Sequence, residues 1–378
     1  MFDIFLIIRN NNEKITIIKN INIILIEGNG DFLTDNLIKT IKKKNIDILI
    51  YQYKYKNEMN RLIKLDRLKI IFINHSCFLL WIYTHNYNMF SDIYDIYKKS
   101  KYVVSIVPFE NNFLFKKWGI NSIYMNNFIS YDYDKIQPSS LSENIILMLG
   151  SANVKSKRFY LGIKSMKYIV QEITDCVMKI ISNTFRIENL KLLINSLNLG
   201  NYVKFVGYSK SPEIYFNNAS LHIFPTISEA FPMALCETKI YGIPNIITGI
   251  DYISAFEGGI INIYDDKPES IAKESIKILK NEKYRKNLGN QARLSMKKFD
   301  NHLTLEKWIK LILSVYKGET FYQRLVNEVN KGNNTMYINL LNNQLKLLKI
   351  REPITNKISF KNILDFNFMK NISYILKY

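Results

Sequence analysis

The chain repeats one pattern, in which short apolar runs alternate with longer segments whose apolar residues recur at helical spacing. In the first half, the apolar runs predict strands over residues 21–26, 46–51, 69–73 and 102–107. A helical pattern over residues 32–44 follows the first of these runs. Strands that alternate with helices are typical of parallel sheets.

The pattern is interrupted by a linker and then restarts. Residues 132–142, with Pro138 and several serines, predict that linker. After it, apolar runs predict strands over residues 144–149, 177–182, 203–206, 221–225, 245–248 and 260–264. Helical patterns occupy residues 158–170, 187–197, 234–241, 269–280, 282–298 and 303–316. Two α/β halves around a linker predict a cleft between them.

Two further helix starts are predicted from their cap residues. Ser211 precedes Pro212 and Glu213, which predicts a helix that Ser211 caps. The run 266–269 begins with an aspartate and contains a proline, which predicts a second capped start.

Two glutamates in the second half carry the first indication of chemistry. Glu229 follows the strand over 221–225, and Glu237 lies about two turns into the next helix. Loops at the carboxyl ends of parallel strands bind ligands in open α/β sheets, and a helix N-terminus suits a phosphate. Two carboxylates on either side of such a site suit hydroxyl groups, so the arrangement indicates a sugar nucleotide. A solvated helix face is the alternative interpretation of the same spacing.

The residues around these glutamates resemble a known family. Residues 224–244 read FPTISEAFPMALCETKIYGIP, which is similar to the signature of the family 4-like retaining glycosyltransferases. That signature has a Pro-Ser/Thr turn, a Glu-x-Phe run, seven residues between two glutamates and a Gly-x-Pro turn. The resemblance covers residues 146–298 and implies the GT-B fold, two Rossmann-like domains across a cleft. We expect domains at 1–137 and 138–302, a crossover helix at 303–318 and a helical tail at 319–378.

The resemblance implies a role for each residue of the glutamate motif. Glu229 is expected to contact donor sugar hydroxyls and to stabilise positive charge at the anomeric carbon. Glu237 is expected to bind the ribose hydroxyls. Pro232 shapes the loop because it lacks an N–H. Backbone amides expected to face sugar and phosphate oxygens are those of Phe231, Met233 and Ala234.

The loop after the strand over 144–149 is expected to bind the donor diphosphate. Lys157 stands at the position of the family's phosphate-binding lysine. The family's arginine is replaced by Ser151, and a serine cannot clamp a diphosphate as a guanidinium does. Lys155 or Arg158 is the candidate replacement, and weak or absent activity is the alternative consequence.

Other candidate contacts come from three loops. Ser182-Asn183-Thr184 departs from the family's Gly-x-Gly, so Gly207 and Tyr208 are the expected nucleobase contacts. In the first half, His75 ends a strand where family members commonly place a histidine near the donor sugar. A structural histidine is the alternative there. Trp81 and His85 are candidates for the acceptor side, with core packing as the alternative for Trp81.

Composition narrows the class of protein. The 378 residues are 47% apolar and 22% charged, which is typical of a globular protein of two domains. The formal net charge of +19 favours anionic partners, such as nucleotide sugars or phospholipid headgroups. The basic residues are scattered rather than gathered in a stripe with aromatics, so nucleic acid is disfavoured. Cys77, Cys176 and Cys236 are widely spaced and are interpreted as reduced thiols.

These observations predict a cytoplasmic glycosyltransferase. It would move a sugar from a nucleoside diphosphate sugar to a glycan, lipid-linked or protein acceptor, with retention and with no metal or other cofactor. The alternatives are a non-catalytic relative that binds a nucleotide sugar or a protein, and a nucleic-acid glucosyltransferase of the same fold. A sugar-nucleotide epimerase would require more histidines than the four present. The basic tail has leucines at helical spacing and either packs on the body or contacts a membrane surface.

Overall fold

The structure is a computed structural model. It describes residues 5–9, 22–26, 30–52, 55–75, 87–107, 110–111, 114–115, 119–129, 131, 133–226, 229–248 and 256–318, with the backbone alone for 5–9, 22–26 and 87–92. Trp81, His85, Cys77 and the tail 319–378 lie outside these residues.

The second half of the chain forms a six-stranded sheet in which every neighbouring pair is parallel. Its strands are β7 (Ile145–Leu149), β8 (Val177–Ile181), β9 (Val203–Gly207), β10 (Leu221–Phe224), β11 (Asn245–Thr248) and β12 (Ile260–Ile263). Their order across the sheet is β12-β11-β10-β7-β8-β9. This is the doubly wound order, in which the chain starts in the middle and builds outward in both directions.

Helices cover both faces of this sheet. They are α4 (Phe159–Glu172), α5 (Glu188–Ser196), α6 (Met233–Ile240), α7 (Pro268–Lys280) and α8 (Glu282–Ser295). The three central strands, β7, β10 and β11, are buried at every position. Continuous apolar runs are what a strand needs when both of its faces are covered, which is why the sequence pattern identified them.

The first half forms a smaller parallel sheet. Its strands are β3 (Ile48–Tyr51), β4 (Lys69–Asn74), β5 (Tyr102–Ser105) and β6 (Ile123–Tyr124), in that order across the sheet. A separate parallel pair joins β1 (Phe5–Arg9) to β2 (Asn22–Ile26). The helices of this half are α1 (Gly30–Lys43), α2 (Lys56–Leu62) and α3 (Tyr87–Lys99). The prediction of two Rossmann-like α/β halves is confirmed.

The last described helix, α9 (Asn301–Lys317), returns to the first half. Leu311 and Val315 of α9 are fully buried in a core cluster that also contains Ile71 and Val104 of the first sheet. The Asn301 side chain accepts a hydrogen bond from Ile129 N–H at 2.9 Å and donates one to Ile129 C=O at 2.5 Å. Ile129 lies just before the linker and Asn301 begins α9. The two segments that connect the halves are therefore hydrogen-bonded to each other.

The turn after α6 has no room for side chains. A Cβ atom placed on Gly289 of α8 would lie 2.3 Å from the carbonyl oxygen of Gly242, and Gly242 has φ of +69°. Two glycines therefore let α8 cross directly over the turn. This contact fixes the C-terminal end of the helix that carries Glu237.

The two predicted caps were wrong. Ser211 makes no capping hydrogen bond, and the segment after it is a short 3-10 turn, Pro212–Tyr215. At the start of α7 the cap position is Lys267, and no side chain caps the helix. The neighbouring Asp265 accepts hydrogen bonds from Lys267 N–H at 3.1 Å and Ser270 Oγ at 2.6 Å. Asp266 has a different partner, which belongs to the candidate site.

Candidate functional site

The strand order places the candidate site. The direction of winding changes between β7 and β10, which are neighbours in the sheet although the paired residues Ile146 and Leu221 are 75 positions apart in the chain. Loops that leave two such strands diverge, and the gap between them is where doubly wound sheets bind ligands. The loop after β7 carries Ser151, Lys157 and Arg158, and the loop after β10 carries Glu229.

The loop after β7 is tied to its neighbouring strand ends. Gly150, with φ of +126°, donates its N–H to the carbonyl of Ile181 at 3.2 Å. Ala152 N–H donates to Ser182 Oγ at 2.9 Å. Ser151 C=O accepts from Val154 N–H at 3.0 Å. These bonds give a defined position to the loop before the turn that carries Lys157.

Lys157 and Glu229 form an ion pair between the Lys157 Nζ and Glu229 Oε1 atoms. The lysine side chain is 25% exposed and the glutamate side chain 12% exposed. Lys157 Nζ also lies 6.0 Å from the ring centroid of Phe224, the last residue of β10. The structure therefore joins two residues that the sequence placed 72 positions apart.

Arg158 is buried beside this pair. Its side chain is 5% exposed, and its guanidinium group contacts three other loops. Nε donates to Pro225 C=O at 2.8 Å, Nη1 pairs with Asp266 at 2.7 Å, and Nη2 donates to Thr248 Oγ1. Arg158 was predicted to contact substrate, but the structure shows its guanidinium bonded to protein groups.

The other glutamate of the motif lies in a different environment. Burial, and to a smaller extent the nearby charge of Glu213, raise the pKa of the Glu237 carboxyl from 4.5 to about 7. Tyr131 donates its hydroxyl hydrogen to Glu213 at 3.4 Å and packs edge-to-face on Tyr241. Burial and the two carboxylates also raise the pKa of Tyr131. The carboxyl groups of Glu213 and Glu237 and the phenols of Tyr131 and Tyr241 therefore lie near one another. We call these four residues the acidic corner.

The residues between the glutamates offer backbone rather than side chains. Phe231 is buried and packs edge-to-face against Phe256 and Phe299, which are stacked 4.8 Å apart. Pro232 precedes the first turn of α6. Met233 N–H donates to Phe231 C=O at 2.9 Å, so one of the three predicted amides is already used within the loop. The Ala234 N–H lies in the first helical turn, where backbone donors lack helical partners.

Three candidate contacts lie on two loops away from the switch point. Gly207 ends β9 with φ of +85°, and its carbonyl accepts from Ser182 N–H at 3.2 Å. Tyr208 follows and is 74% exposed. His75 directly follows β4, at the carboxyl edge of the first sheet, and its side chain is exposed. Roles for these three residues stay predictions.

Sequence reasoning missed Glu213, Asp266 and Tyr131. Glu213 was assigned to a helix start, and only the tertiary structure shows that its charge acts on Glu237. Asp266 was assigned to a helix cap. Its position after the last predicted strand could instead have placed it at the carboxyl edge of the sheet, where ligands bind. Tyr131, at the linker, carried no signal of its own.

Cysteine chemistry and metal ligands add little to this site. Cys176 and Cys236 are free and buried, and burial raises the pKa of both thiols. Within the described ranges, no group of three or more His, Cys, Asp or Glu side chains is arranged to hold a metal ion. In the same part of the chain, no helix combines the length and apolar character needed to span a bilayer.

Solved structures with the same architecture define the fold class. Sucrose-phosphate synthase from Thermosynechococcus elongatus superposes with a TM-score of 0.71 at 14% identity, covering 84% of this chain and 90% of that chain. Anabaena HepE, solved with UDP and glucose, has a TM-score of 0.64 at 12% identity, with coverages of 78% and 87%. S. aureus TarM has a TM-score of 0.62 at 17% identity, with coverages of 74% and 58%. The fold is GT-B.

Sequence comparison then gives the family. Residues 132–295 match the model of the family described as glycosyl transferases group 1. An uncharacterized glycosyltransferase of Haemophilus influenzae is 20% identical over 174 residues, which are 45% of this chain and 49% of that protein. The alignment thus spans about half of the relative. The match to glycosyl transferases group 1 covers the glutamate motif, and the resemblance found there is confirmed.

Proposed function

We propose that the protein transfers a glycosyl unit from a nucleoside diphosphate sugar to an acceptor hydroxyl, with retention of anomeric configuration. The observation that carries this proposal is the Lys157–Glu229 ion pair at the switch point of the second sheet. One loop supplies a cation suited to a phosphate and the other a carboxylate suited to sugar hydroxyls. A glycosyltransferase breaks the bond between the donor sugar and its phosphate, so the carboxylate and the cation would each contact one side of that bond.

Donor binding would replace the ion pair with two separate contacts. Lys157 Nζ would turn to the diphosphate, and Glu229 would accept hydrogen bonds from hydroxyls of the donor sugar. Each residue loses one partner of opposite charge or polarity and gains another, so neither is left buried and unpaired. The N–H groups in the first turn of α6 add positive potential on the same side.

The acidic corner would bind the nucleoside end. Glu237 is eight residues beyond Glu229 and lies on α6, so it faces a different part of an extended donor. Ribose hydroxyls can donate to its carboxylate. The exposed ring of Tyr208, after β9, is available to the nucleobase.

Transfer would proceed on one face of the sugar. The bond between the anomeric carbon and the leaving phosphate oxygen breaks, and its electron pair stays with the phosphate. The acceptor oxygen bonds to the same face of the carbon, and its proton passes to the leaving phosphate. Lys157 and the start of α6 would neutralise the developing charge, which is the work that a metal performs in other transferases. We therefore propose a metal-independent enzyme.

The comparisons support the substrate classes of this proposal. HepE was solved with UDP and glucose, and TarM with UDP, fondaparinux and alpha-GlcNAc-glycerol. A glycan, lipid-linked or protein acceptor remains the proposed range for this chain, with the cytoplasm as the proposed compartment. Peripheral membrane contact through the tail is part of the same proposal.

One observation favours a second candidate, a non-catalytic nucleotide-sugar-binding protein. The family's phosphate-binding arginine is replaced by Ser151, and the buried guanidinium of Arg158 is bonded to Pro225, Thr248 and Asp266. Lys157 would then be the main cation for two phosphates. Such a site can bind a donor and transfer it slowly.

Calorimetric titration with a panel of nucleoside diphosphate sugars tests both candidates. We expect one donor to bind and Lys157→Ala and Glu229→Ala to weaken it by about tenfold or more. Lys167→Ala is the control, because Lys167 is an exposed lysine on α4, outside the loop that carries Lys157. Transfer of the bound sugar, followed by NMR of the product anomer, separates the enzyme from the binding protein. A folded chain that binds no donor would count against both.

A further inference from the structure

Arg158 is a buried cation in the loop after β7, and its guanidinium contacts three protein groups. It precedes α4 directly and follows Lys157. The loops that it contacts leave three different strands: Pro225 follows β10, Thr248 ends β11 and Asp266 lies after β12. The Arg158 side chain, from the loop after β7, therefore connects the carboxyl ends of β10, β11 and β12.

The backbone of Arg158 adds a second observation. Its φ and ψ angles are +49° and +40°, the left-handed conformation, which is unfavourable for residues other than glycine. The conformation is held by backbone bonds on both sides, from Arg158 N–H to Lys155 C=O at 3.1 Å and from Leu161 N–H to Arg158 C=O at 2.9 Å. Strain of this kind persists where surrounding contacts determine it, and here the guanidinium supplies three of them.

Both partners of the catalytic ion pair are connected to this group. Lys157 is its neighbour in the chain, and Pro225, which accepts from Nε, lies four residues before Glu229. Thr226 strengthens the same connection, because its Oγ1 donates to Ser156 C=O at 3.4 Å and its carbonyl accepts from Thr248 Oγ1 at 3.3 Å. The relative position of the β7 and β10 loops thus depends on the Arg158 side chain.

We propose that Arg158 is a positioning residue, which sets the distance between Lys157 and Glu229 through Pro225, Thr248 and Asp266 and does not bind the donor itself. This inference rests on the proposed function. In this proposal Arg158 does not replace the family's arginine in binding the diphosphate. Phosphate binding then falls to Lys157 and the start of α6.

The test uses Arg158→Gly, which keeps the left-handed backbone accessible and removes the side chain with its guanidinium. Affinities for UDP and uridine are measured side by side, with GDP and guanosine and ADP and adenosine in parallel. If Arg158 positions Lys157, the diphosphate should lose about tenfold in affinity and the nucleoside much less. A general loosening of the domain would weaken both ligands alike and would overturn the proposal.

Rescue gives a second readout. Guanidinium chloride at millimolar concentration should enter the vacated space and recover most of the lost diphosphate affinity in Arg158→Gly. Urea of the same shape, with sodium chloride to match ionic strength, should not, because the acceptors include the carboxylate of Asp266. Equal effects of guanidinium and urea would contradict the proposal. Arg158→Lys, with its point charge, should recover part of the affinity without additives.

A milder variant covers the case in which Arg158→Gly does not fold. Asp266→Asn keeps the shape of the pair and removes its charge, and it should lower diphosphate affinity about threefold while leaving the nucleoside unchanged. Unchanged diphosphate affinity in a folded Asp266→Asn protein would then overturn the inference. A wild-type chain that binds none of the three diphosphates would overturn the proposed function and this inference together. Wild-type binding with unaffected variants would overturn the inference alone.

Discussion

Glu229 and Glu237 belong to one motif, yet the fold places them in opposite electrostatic environments. Glu229 is ion-paired with a lysine from the neighbouring loop. Glu237 is buried and near a second carboxylate, Glu213, so that its pKa is raised to about 7. The comparison shows that the sequence spacing defines where the two carboxylates stand, while the fold gives them different neighbours. Glu229 can exchange its lysine partner for a ligand. Glu237, with its pKa of about 7, changes its protonation state near neutral pH.

The largest expected effect comes from breaking the pair that includes Glu229. Lys157→Met should reduce the transfer rate by about two orders of magnitude or more, because it removes the cation proposed to stabilise the leaving diphosphate. Glu229→Gln should produce a loss of similar size through the sugar. The measurement is single-turnover transfer with saturating donor. A rate within about threefold of wild type in either variant would remove the pair from the mechanism.

The next prediction concerns the pH dependence that Glu237 introduces. If the ribose hydroxyls require its carboxylate form, donor affinity should fall about tenfold between pH 8 and pH 6. Glu237→Gln should bind more weakly at pH 8 and show no such slope. A nucleotide sugar is the right probe, since its diphosphate is ionised throughout this range. A flat profile in the wild type would contradict the assignment.

The same group should affect folding, with the opposite sign. Because the folded pKa of Glu237 lies above its ordinary value of 4.5, the folded state holds a proton that the unfolded state releases. Stability from this group is therefore present below pH 4.5 and is lost as the pH rises to about 7. The loss is on the order of 2 to 3 kcal/mol. Comparing denaturant unfolding of wild type and Glu237→Gln at pH 5 and pH 8 measures it.

A smaller effect is expected when the second carboxylate is neutralised. Glu213→Gln removes one cause of the raised pKa of Glu237 but leaves burial, which is the larger one. The pH midpoint of donor affinity should therefore shift downward by less than the whole displacement from 4.5. Titration of the variant against the same nucleotide sugar measures the midpoint. An unchanged midpoint would show that burial alone controls Glu237.

The smallest effect is expected at Tyr131. Its hydroxyl contacts Glu213 across 3.4 Å, a weak hydrogen bond, and its ring keeps the contact with Tyr241 in Tyr131→Phe. We expect a change of less than about 1 kcal/mol in stability and a small change in donor affinity. A large loss of donor affinity would identify Tyr131 as a direct ligand contact.

Local patterns were enough for the central strands and for the motif. The strands β7, β10 and β11 are uninterrupted apolar runs, and the run 224–244 carries its own family signature. Elements with weaker patterns were missed. Residues 56–62, which form α2, contain few apolar positions, whereas α3 carries Ile93, Ile96 and Tyr97 at helical spacing, a signal that could have found it.

The contacts that define the site could not be predicted from the chain alone. The ion pair of Lys157 requires the strand order to bring β7 beside β10, and no local pattern encodes that order. The partners of Arg158 come from three further loops. Their hydrogen bonds follow from the tertiary structure, whereas the sequence made Arg158 only one of two candidates, with Lys155, to replace the family's arginine.

The paired hydrogen bonds between Asn301 and Ile129 have a mechanical consequence. Two parallel bonds between the same two residues fix the orientation of the start of α9 relative to the segment before the linker, as well as the distance between them. Pulling these two segments apart, or sliding one past the other, would break both bonds together.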